Sequence, residues 1–456
     1  MARMFGTNGV RGVVNEDMTA ALALQIGKAI GTVMNGRVAI ATDTRLSADM
    51  LRTAVAAGLM AVGCDVVNLG VVPTPALQYF VRMHPDISCG VMITASHNPP
   101  EFNGIKVIAA DGTEASREQE AAVEEAYGRE LPSVVWDKVG SNSDLAGAGD
   151  AYVEAVASKV DVAAIRAAGL TVVLDCTNGA AYYTSPLLLK RLGVRAITLN
   201  GNPQGEFPGH LSEPIEENLG ELKAMVRDTG AALGIAHDGD ADRCVFVDGR
   251  GRFVAGDKSL AVLARYLAQD SPGGTVVTPV ATSALVEDVV RAAGGNVVYT
   301  AVGSPIVART MMTDGAIFGG EENGGLIFPG HQYCRDGAMS LAKMLECIVR
   351  VGPLAEQLDK LPQYFTEKRK VKCPDGLKGA LMQYFDVRTE GIRKDRTDGI
   401  KLLFDNGWVL ARPSGTEPIF RIYAESKDGR TAAELADKYE RLVNEFLQSA
   451  PAEAGA

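Results

Sequence analysis

The sequence predicts an α/β protein of three consecutive mixed βα-sheet domains, followed by a smaller α+β domain at the C-terminus. Three observations carry that prediction. At 456 residues the chain is too long for one hydrophobic core, and its length suggests about three domains. From residue 38 to about residue 320, short apolar runs alternate with helical patterns at βαβ spacing. Around residues 361–365 that order stops, and short alternating strands interleave with helices, as in an antiparallel sheet. The boundaries read from these shifts are 1–149, 150–252, 253–362 and 363–456.

Composition narrows the class. The chain is 46% hydrophobic and 22% charged, as globular proteins are. Its 45 Lys and Arg against 56 Asp and Glu leave a formal net charge of −11, which argues against nonspecific binding to nucleic acid or anionic membrane. An anionic substrate therefore needs a local basic cluster. Seven cysteines, with no C-x-x-C pair, indicate neither a zinc site nor a disulfide framework. Residues 1–6 lack a signal-peptide core, and no charge-free run is long and apolar enough to span a bilayer. We expect a soluble, reduced, cytoplasmic protein, a monomer or homodimer.

Phe5-Gly6-Thr7-Asn8-Gly9-Val10-Arg11-Gly12 places Arg11 among glycines, which let backbone approach a ligand while Arg supplies a phosphate-binding fork. Val38-Ala39-Ile40-Ala41 reads as a strand ending at Asp43-Thr44-Arg45, followed by an Ala-rich helix over about 48–63. A strand over 65–69 and a helix opened by Pro73-Thr74-Pro75 continue a mainly parallel sheet. Cys89-Gly90-Val91-Met92-Ile93 is a buried strand, and Thr94-Ala95-Ser96-His97-Asn98-Pro99-Pro100 leaves it. The two prolines end ladder pairing, so Ser96 is expected on a rigid, exposed turn where open sheets place their ligands.

Residues 139–149 lack periodicity and read as a connection before a helix near Asp150. Strands over 170–175, 194–197 and 231–236 follow, with an Asn178-Gly179 turn. The last runs into His237-Asp238-Gly239-Asp240-Ala241-Asp242-Arg243 and returns through Cys244-Val245-Phe246-Val247. Three carboxylates this close repel one another, and a hard cation with oxygen ligands resolves the conflict. An EF-hand would need Gly at Arg243 and Glu at Gly249, so that reading fails.

Alternation resumes at Phe253, and strands over 275–278 and 296–299 precede Ala316-Ile317-Phe318-Gly319. That strand ends in Gly320-Glu321-Glu322-Asn323-Gly324-Gly325, whose donors and acceptors suit a hydroxyl-rich ligand. In the last domain, Ala411-Arg412-Pro413-Ser414-Gly415-Thr416-Glu417-Pro418, with Arg421 on the next strand, composes a phosphate cradle.

Thr94 to Pro99 with Phe102-Asn103-Gly104-Ile105-Lys106 resembles the phosphoserine loop of the α-D-phosphohexomutase family. The loop at 238–243 resembles that family's metal loop, the loop at 320–325 its sugar-recognition loop, and the loop at 411–418 its phosphate-binding loop. The resemblance implies that Ser96 carries a covalent phosphate, which ligates Mg²⁺ together with Asp238, Asp240 and Asp242. It implies catalytic roles for Ser96, Lys106, Arg243 and Arg11, with Lys106 and Arg243 aiding transfer or donating protons. Glu321 and Asn323 would bind the sugar, while Arg412, Ser414, Gly415, Thr416 and Arg421 would grip its phosphate. The implied substrate is a hexose phosphate and the implied intermediate a sugar bisphosphate.

The family pattern Gly-Glu-x-Ser-Gly-His is broken by Asn323 and Gly325, which removes a candidate proton carrier; His331 stands nearby in the sequence. Residues 5–12 look most like the glucosamine-phosphate branch, and Glu322 could meet an ammonium at C2. The alternatives are a mannose- or glucose-phosphate mutase of the same family and a non-catalytic sugar-phosphate binder. Asp238-Gly239-Asp240 faintly matches a haloacid-dehalogenase phosphatase, which wants Thr or Val at Asp242 and leaves the Ser96 loop unexplained.

Overall fold

A computed structural model describes residues 4–6, 9–415 and 417–449. The first sheet holds β1 (Val10–Val13), β2 (Arg37–Thr42), β3 (Asp65–Val71), β4 (Ile87–Ile93), β5 (Phe102–Ala109) and β6 (Asn142–Asp144), in the order β1-β5-β4-β2-β3-β6. Strands β3, β2 and β4 are parallel, while β5 returns antiparallel to β4 and β1 is antiparallel to β5. The second sheet holds β7 (Thr171–Asp175), β8 (Arg195–Leu199), β9 (Leu233–His237), β10 (Cys244–Asp248) and β11 (Phe253–Val254), ordered β11-β10-β9-β7-β8. The third holds β12 (Thr275–Pro279), β13 (Asn296–Thr300), β14 (Phe318–Gly320), β15 (Leu326–Phe328) and β16 (Gln332–Arg335), ordered β13-β12-β14-β15-β16.

The three sheets share one plan. A first parallel strand lies between its second and third partners, and two antiparallel strands extend beyond the third. The connection from the third strand to the antiparallel fourth therefore occurs three times, as 94–101, 238–243 and 321–325. These are the Ser96, aspartate and Glu321 loops. One topology has been used to bring three chemically different turns to corresponding sheet edges.

The fourth sheet is wholly antiparallel: β17 (Phe365–Lys372), β18 (Lys394–Asp395), β19 (Ile400–Phe404), β20 (Gly407–Pro413) and β21 (Ile419–Ser426), ordered β17-β21-β20-β19-β18. The loop carrying Ser414 is its β20–β21 hairpin.

One feature departs from the sequence reading. Residues 139–149 contain β6, a three-residue exposed strand paired with β3, with Ser141 donating to Asp65. Backbone pairing and polar side-chain bonds, including Asn68 Nδ2 to Asp144 Oδ1 at 2.7 Å, hold this edge, so no apolar pattern announced it. With antiparallel β1 and β5 beside parallel β4, β2 and β3, the first sheet is mixed, as the fold class expected.

A continuous apolar core runs through the first three domains, including Phe80, Tyr152, Leu188, Phe246, Leu263 and Phe318. The fourth has its own core around Phe385, Phe420 and Tyr439. It meets the third through Trp408 and Leu410 packed on Val280 and Ala281. Lys401 Nζ lies 4.0 Å from the Trp408 ring centroid and donates to the Val280 carbonyl at 2.7 Å. Glu425 accepts from Trp408 Nε1 and from the Ala284 amide, both at 2.8 Å. All seven cysteines are free and buried. Among the described residues, no helix is long and apolar enough to cross a membrane.

Trp408→Ala should destabilise the chain by about 3–5 kcal/mol, because it opens a cavity and removes one hydrogen bond from the buried Glu425 carboxylate. Chemical denaturation followed by far-UV circular dichroism measures this; a loss below ~1 kcal/mol would show that the contact carries little of the docking.

Candidate active site

Ser96 is fully buried, which corrects the expectation of an exposed turn. The aspartate loop covers it: the Ser96 hydroxyl donates to Asp238 Oδ2 at 2.7 Å. A Cβ at Gly239 would lie 2.5 Å from the Ser96 carbonyl, so only glycine permits this approach of the two loops. Ser96 itself has φ 53 and Ala241, within the aspartate loop, φ 57. Non-glycine residues in this left-handed region store about 1–3 kcal/mol each, held by the surrounding structure.

Much of that hold comes from Arg45, a buried residue at the end of β2 that sequence reasoning left without a role. Its Nη2 donates to the carbonyls of Ser96 (3.0 Å) and Asn98 (2.6 Å), and its Nη1 to those of Pro99 (2.6 Å) and Phe102 (2.8 Å). Its Nε bonds Asp43 at 3.1 Å, so all five donors are used. Asp43 also accepts from Thr94 Oγ1 at 2.6 Å, and Thr94 Oγ1 accepts the Ser96 amide at 2.8 Å. Arg11 adds bonds to the Ala95 carbonyl (3.0 Å) and Asn98 Oδ1 (2.7 Å).

Asp238, Asp240 and Asp242 are buried, with ligand atoms all within 4.8 Å of one another. Burial and its two neighbours push the Asp238 carboxyl well above the usual range. Asp240 is lowered despite burial, because Lys106 donates to its Oδ2 at 2.7 Å and Thr74 at 2.6 Å. Asp240 Oδ1 and Asp242 Oδ1 are buried without hydrogen-bond partners. Orphaned hard oxygens beside a strained carboxyl fit a divalent cation such as Mg²⁺.

Lys106 also lies 3.3 Å from Asp242 Oδ2. Burial opposes its charge, but Asp240 and Asp242 outweigh it and raise the ammonium's pKa. It is therefore held as a cation here. Arg243 Nε is buried without a partner, 3.9 Å from Asp238 and 4.0 Å from Asp242. His97 Nδ1 lies 3.3 Å from Ser96 Oγ, and burial together with Arg243 and Arg11 drives its pKa down to about 2, so the ring stays neutral.

From the third domain, Glu321 lies 3.7 Å from Arg335, and Arg335 donates to Asp242 at 2.6 Å. Asn323 Oδ1 accepts the Gly325 amide at 3.0 Å and so shapes its own turn. Glu322 does not face the cleft unpaired: Lys368 of β17 donates to it at 2.5 Å. His331 is buried, stacked on Tyr79 at 5.4 Å with its Nε2 3.4 Å from Asp336. That environment is a packed interior rather than the sugar loop.

The cradle is built on the β20–β21 hairpin. Arg412 pairs with Asp398 at 3.1 Å, Arg421 donates to Glu417 at 2.6 Å, and both Nε atoms are buried without partners. Ser414 Oγ accepts the Glu417 amide, Gly415 is exposed at the tip, and Thr416 lies outside the described residues. Register places Arg412 opposite Arg421 and Arg421 opposite Lys370. Like charges facing one another across strands are unfavourable unless an anion lies over them.

Four models of one family match the chain in order: the α/β/α domains I (residues 2–132), II (150–251) and III (255–365) and the C-terminal domain (369–442) of phosphoglucomutase/phosphomannomutase. A phosphoglucomutase/phosphomannomutase of Thermococcus kodakarensis is 42% identical over 98% of this chain and 100% of its own length. The chain belongs to the phosphoglucomutase/phosphomannomutase family. A Methanopyrus kandleri protein named "Probable phosphoglucosamine mutase" is also 42% identical, over 98% of this chain and 99% of its own. A solved family member from Burkholderia thailandensis superposes with TM-score 0.86 at 27% identity, covering 99% of both chains. The chain is thus a phosphohexomutase, an isomerase acting on sugar phosphates.

The phosphohexomutase site also leans on a loop that its motifs did not announce. Ser212 Oγ donates to the Asn98 carbonyl at 2.9 Å, and Phe207 lies 5.1 Å from the Arg45 guanidinium. That loop is tied down by His210, whose ring nitrogens face the Leu211 carbonyl (2.7 Å) and Asp175 Oδ2 (3.1 Å). Burial lowers the imidazole's pKa, but Asp175 outweighs it and holds it above the ordinary value. A raised histidine stabilises fully below its unfolded pKa, near 6.5, and that contribution fades as pH rises through the higher folded value. Thermal stability should therefore decline from about pH 6.5 upward in wild type, and His210→Asn should flatten that decline. Melting curves across pH decide it; an unchanged slope in the variant would remove His210 from the explanation.

Proposed function

We propose that the enzyme is a phosphoglucosamine mutase, interconverting glucosamine 6-phosphate and glucosamine 1-phosphate through phosphorylated Ser96 and a bisphosphorylated sugar. The observation that carries the phosphoserine reading is the buried Ser96 hydroxyl directed at Asp238, beside two aspartate oxygens without partners. Asp238, Asp240, Asp242 and the Ser96 phosphate would hold Mg²⁺, which when bound neutralises charge on the transferring phosphoryl group.

Ser96 Oγ gives its phosphoryl group to the free hydroxyl of the sugar phosphate, and the other phosphoryl group of the turned bisphosphate returns to Ser96 Oγ. Lys106, Arg243 and Arg11 surround the transfer with fixed positive charge, and Lys106 is the proton donor among them. Glu321 and Asn323 orient the sugar. Arg412, Ser414, Gly415, Thr416 and Arg421, with Lys370 in the same register row, grip the phosphate that is not reacting. The working units are 1–149, 150–252, 253–362 and 363–456, and the separate core of the last suits it to move with the substrate.

Ser96→Ala should abolish turnover in a protein that still folds, and wild-type protein should carry the mass of one phosphate on Ser96. Turnover surviving in the variant at more than a few per cent would refute the carrier.

For the sugar, likeness to the Methanopyrus kandleri relative and the glycine-rich opening favour glucosamine. A second reading, a mannose- or glucose-phosphate mutase, is favoured by the Lys368 contact that neutralises Glu322 and so removes it as a partner for an ammonium at C2. We expect kcat/KM to be highest for glucosamine phosphates; a higher value for mannose 1-phosphate would establish the second reading and leave the chemistry standing.

A further inference from the structure

The aliphatic stem of Arg335 fills space that any side chain at position 325 would need. A Cβ at Gly325 would lie 2.3 Å from Arg335 Cδ and 3.0 Å from its Cγ. The resembled loop pattern carries histidine at this position, whereas here the side chain comes from the end of β16, ten residues further on. Arg335 is buried and reaches three carboxylates from three domains: Asp242 at 2.6 Å, Glu321 at 3.7 Å and Glu114 at 3.9 Å. Its Nε is buried without a partner. Its neighbours fasten it in place: the Asp336 amide donates to the Leu326 carbonyl at 2.9 Å and the Gly337 amide to the Ala241 carbonyl at 3.3 Å. A Cβ at Gly337 would come within 2.7 Å of the Ala241 and Arg243 carbonyls, so this segment presses directly on the aspartate loop.

We propose that Arg335 is a positioning residue that replaces a side chain at 325, holding Glu321 of the sugar loop in register with Asp242 of the aspartate loop. A planar fork can serve both carboxylates at once, which a lysine ammonium cannot. The sugar loop then contributes no imidazole. Its contribution to transfer is the placement of Glu321, set from β16 rather than from within the loop.

The inference rests on the Ser96 and aspartate reading above. Loss of that reading would show separately, as turnover surviving in Ser96→Ala. The test compares four variants, each checked for folding by far-UV circular dichroism, using whichever hexose phosphate wild type turns over best. Arg335→Lys keeps the charge but not the fork, and its KM should rise at least tenfold while kcat falls less. Gly325→Ala adds one methyl against the Arg335 stem and changes no charge, and its KM should rise in the same way. Gly325→His should be poorer still with Arg335 present. Gly325→His combined with Arg335→Ala should recover at least tenfold in kcat/KM over Gly325→His alone, because the stem has been removed. Wild-type KM in either Arg335→Lys or Gly325→Ala, or a double variant no better than Gly325→His, would overturn the proposal.

Discussion

Three buried aspartates cannot share one turn unless positive charge reaches them, and in this chain Arg243 of the same turn is joined by cations from two other domains. Lys106 arrives from β5 of the first domain and Arg335 from β16 of the third, both contacting Asp242 of the second. Ser96 and Thr74 complete the first domain's contribution, donating to Asp238 and Asp240. Removing one partner from such a cluster leaves an uncompensated buried charge, which typically costs about 3–5 kcal/mol. The relative placement of three domains is therefore tied to electrostatics at the site, and assembly of the site is part of the fold's stability.

The repeated sheet plan explains how this convergence is reached. A turn between a parallel strand and its antiparallel neighbour emerges at the carboxyl end of the parallel strand, where ligands gather in open sheets. Each of the three domains presents that turn, loaded respectively with a hydroxyl, carboxylates and a glutamate. The fourth domain follows different rules. It packs its own core and touches the third through Trp408, Lys401 and Glu425. On its β20–β21 hairpin, Arg412 pairs with Asp398 and Arg421 with Glu417.

Rigid support for the Ser96 loop is built from backbone contacts. Arg45 ties four carbonyls of one loop to Asp43, while Ser212 and Phe207 brace the same loop from the second domain. A residue at φ 53 would relax if these ties were cut. Placement of the hydroxyl is the function they serve, since phosphoryl transfer depends on positioning and electrostatics more than on covalent participation by further side chains.

The amino-acid sequence alone carried the fold class and the order of the four candidate turns, with Ser96, Asp238, Asp240, Asp242 and Arg412 as candidate residues on them. These lie in contiguous motifs, where apolar strands run into polar turns and local chemistry is legible. It also showed that histidine is missing at Gly325, without showing what stands in its place. Tertiary structure decided the rest. The edge strand β6 carries no apolar pattern, and Ser96 is buried only because a loop 142 residues away covers it. Arg45 and Arg335 act across domains on partners that no spacing along the chain reveals. Glu322 looked free to meet a ligand until Lys368, 46 residues on, was seen to claim it. Local motifs record which groups do chemistry, whereas the partners that neutralise, bury and aim those groups are chosen by packing between distant segments.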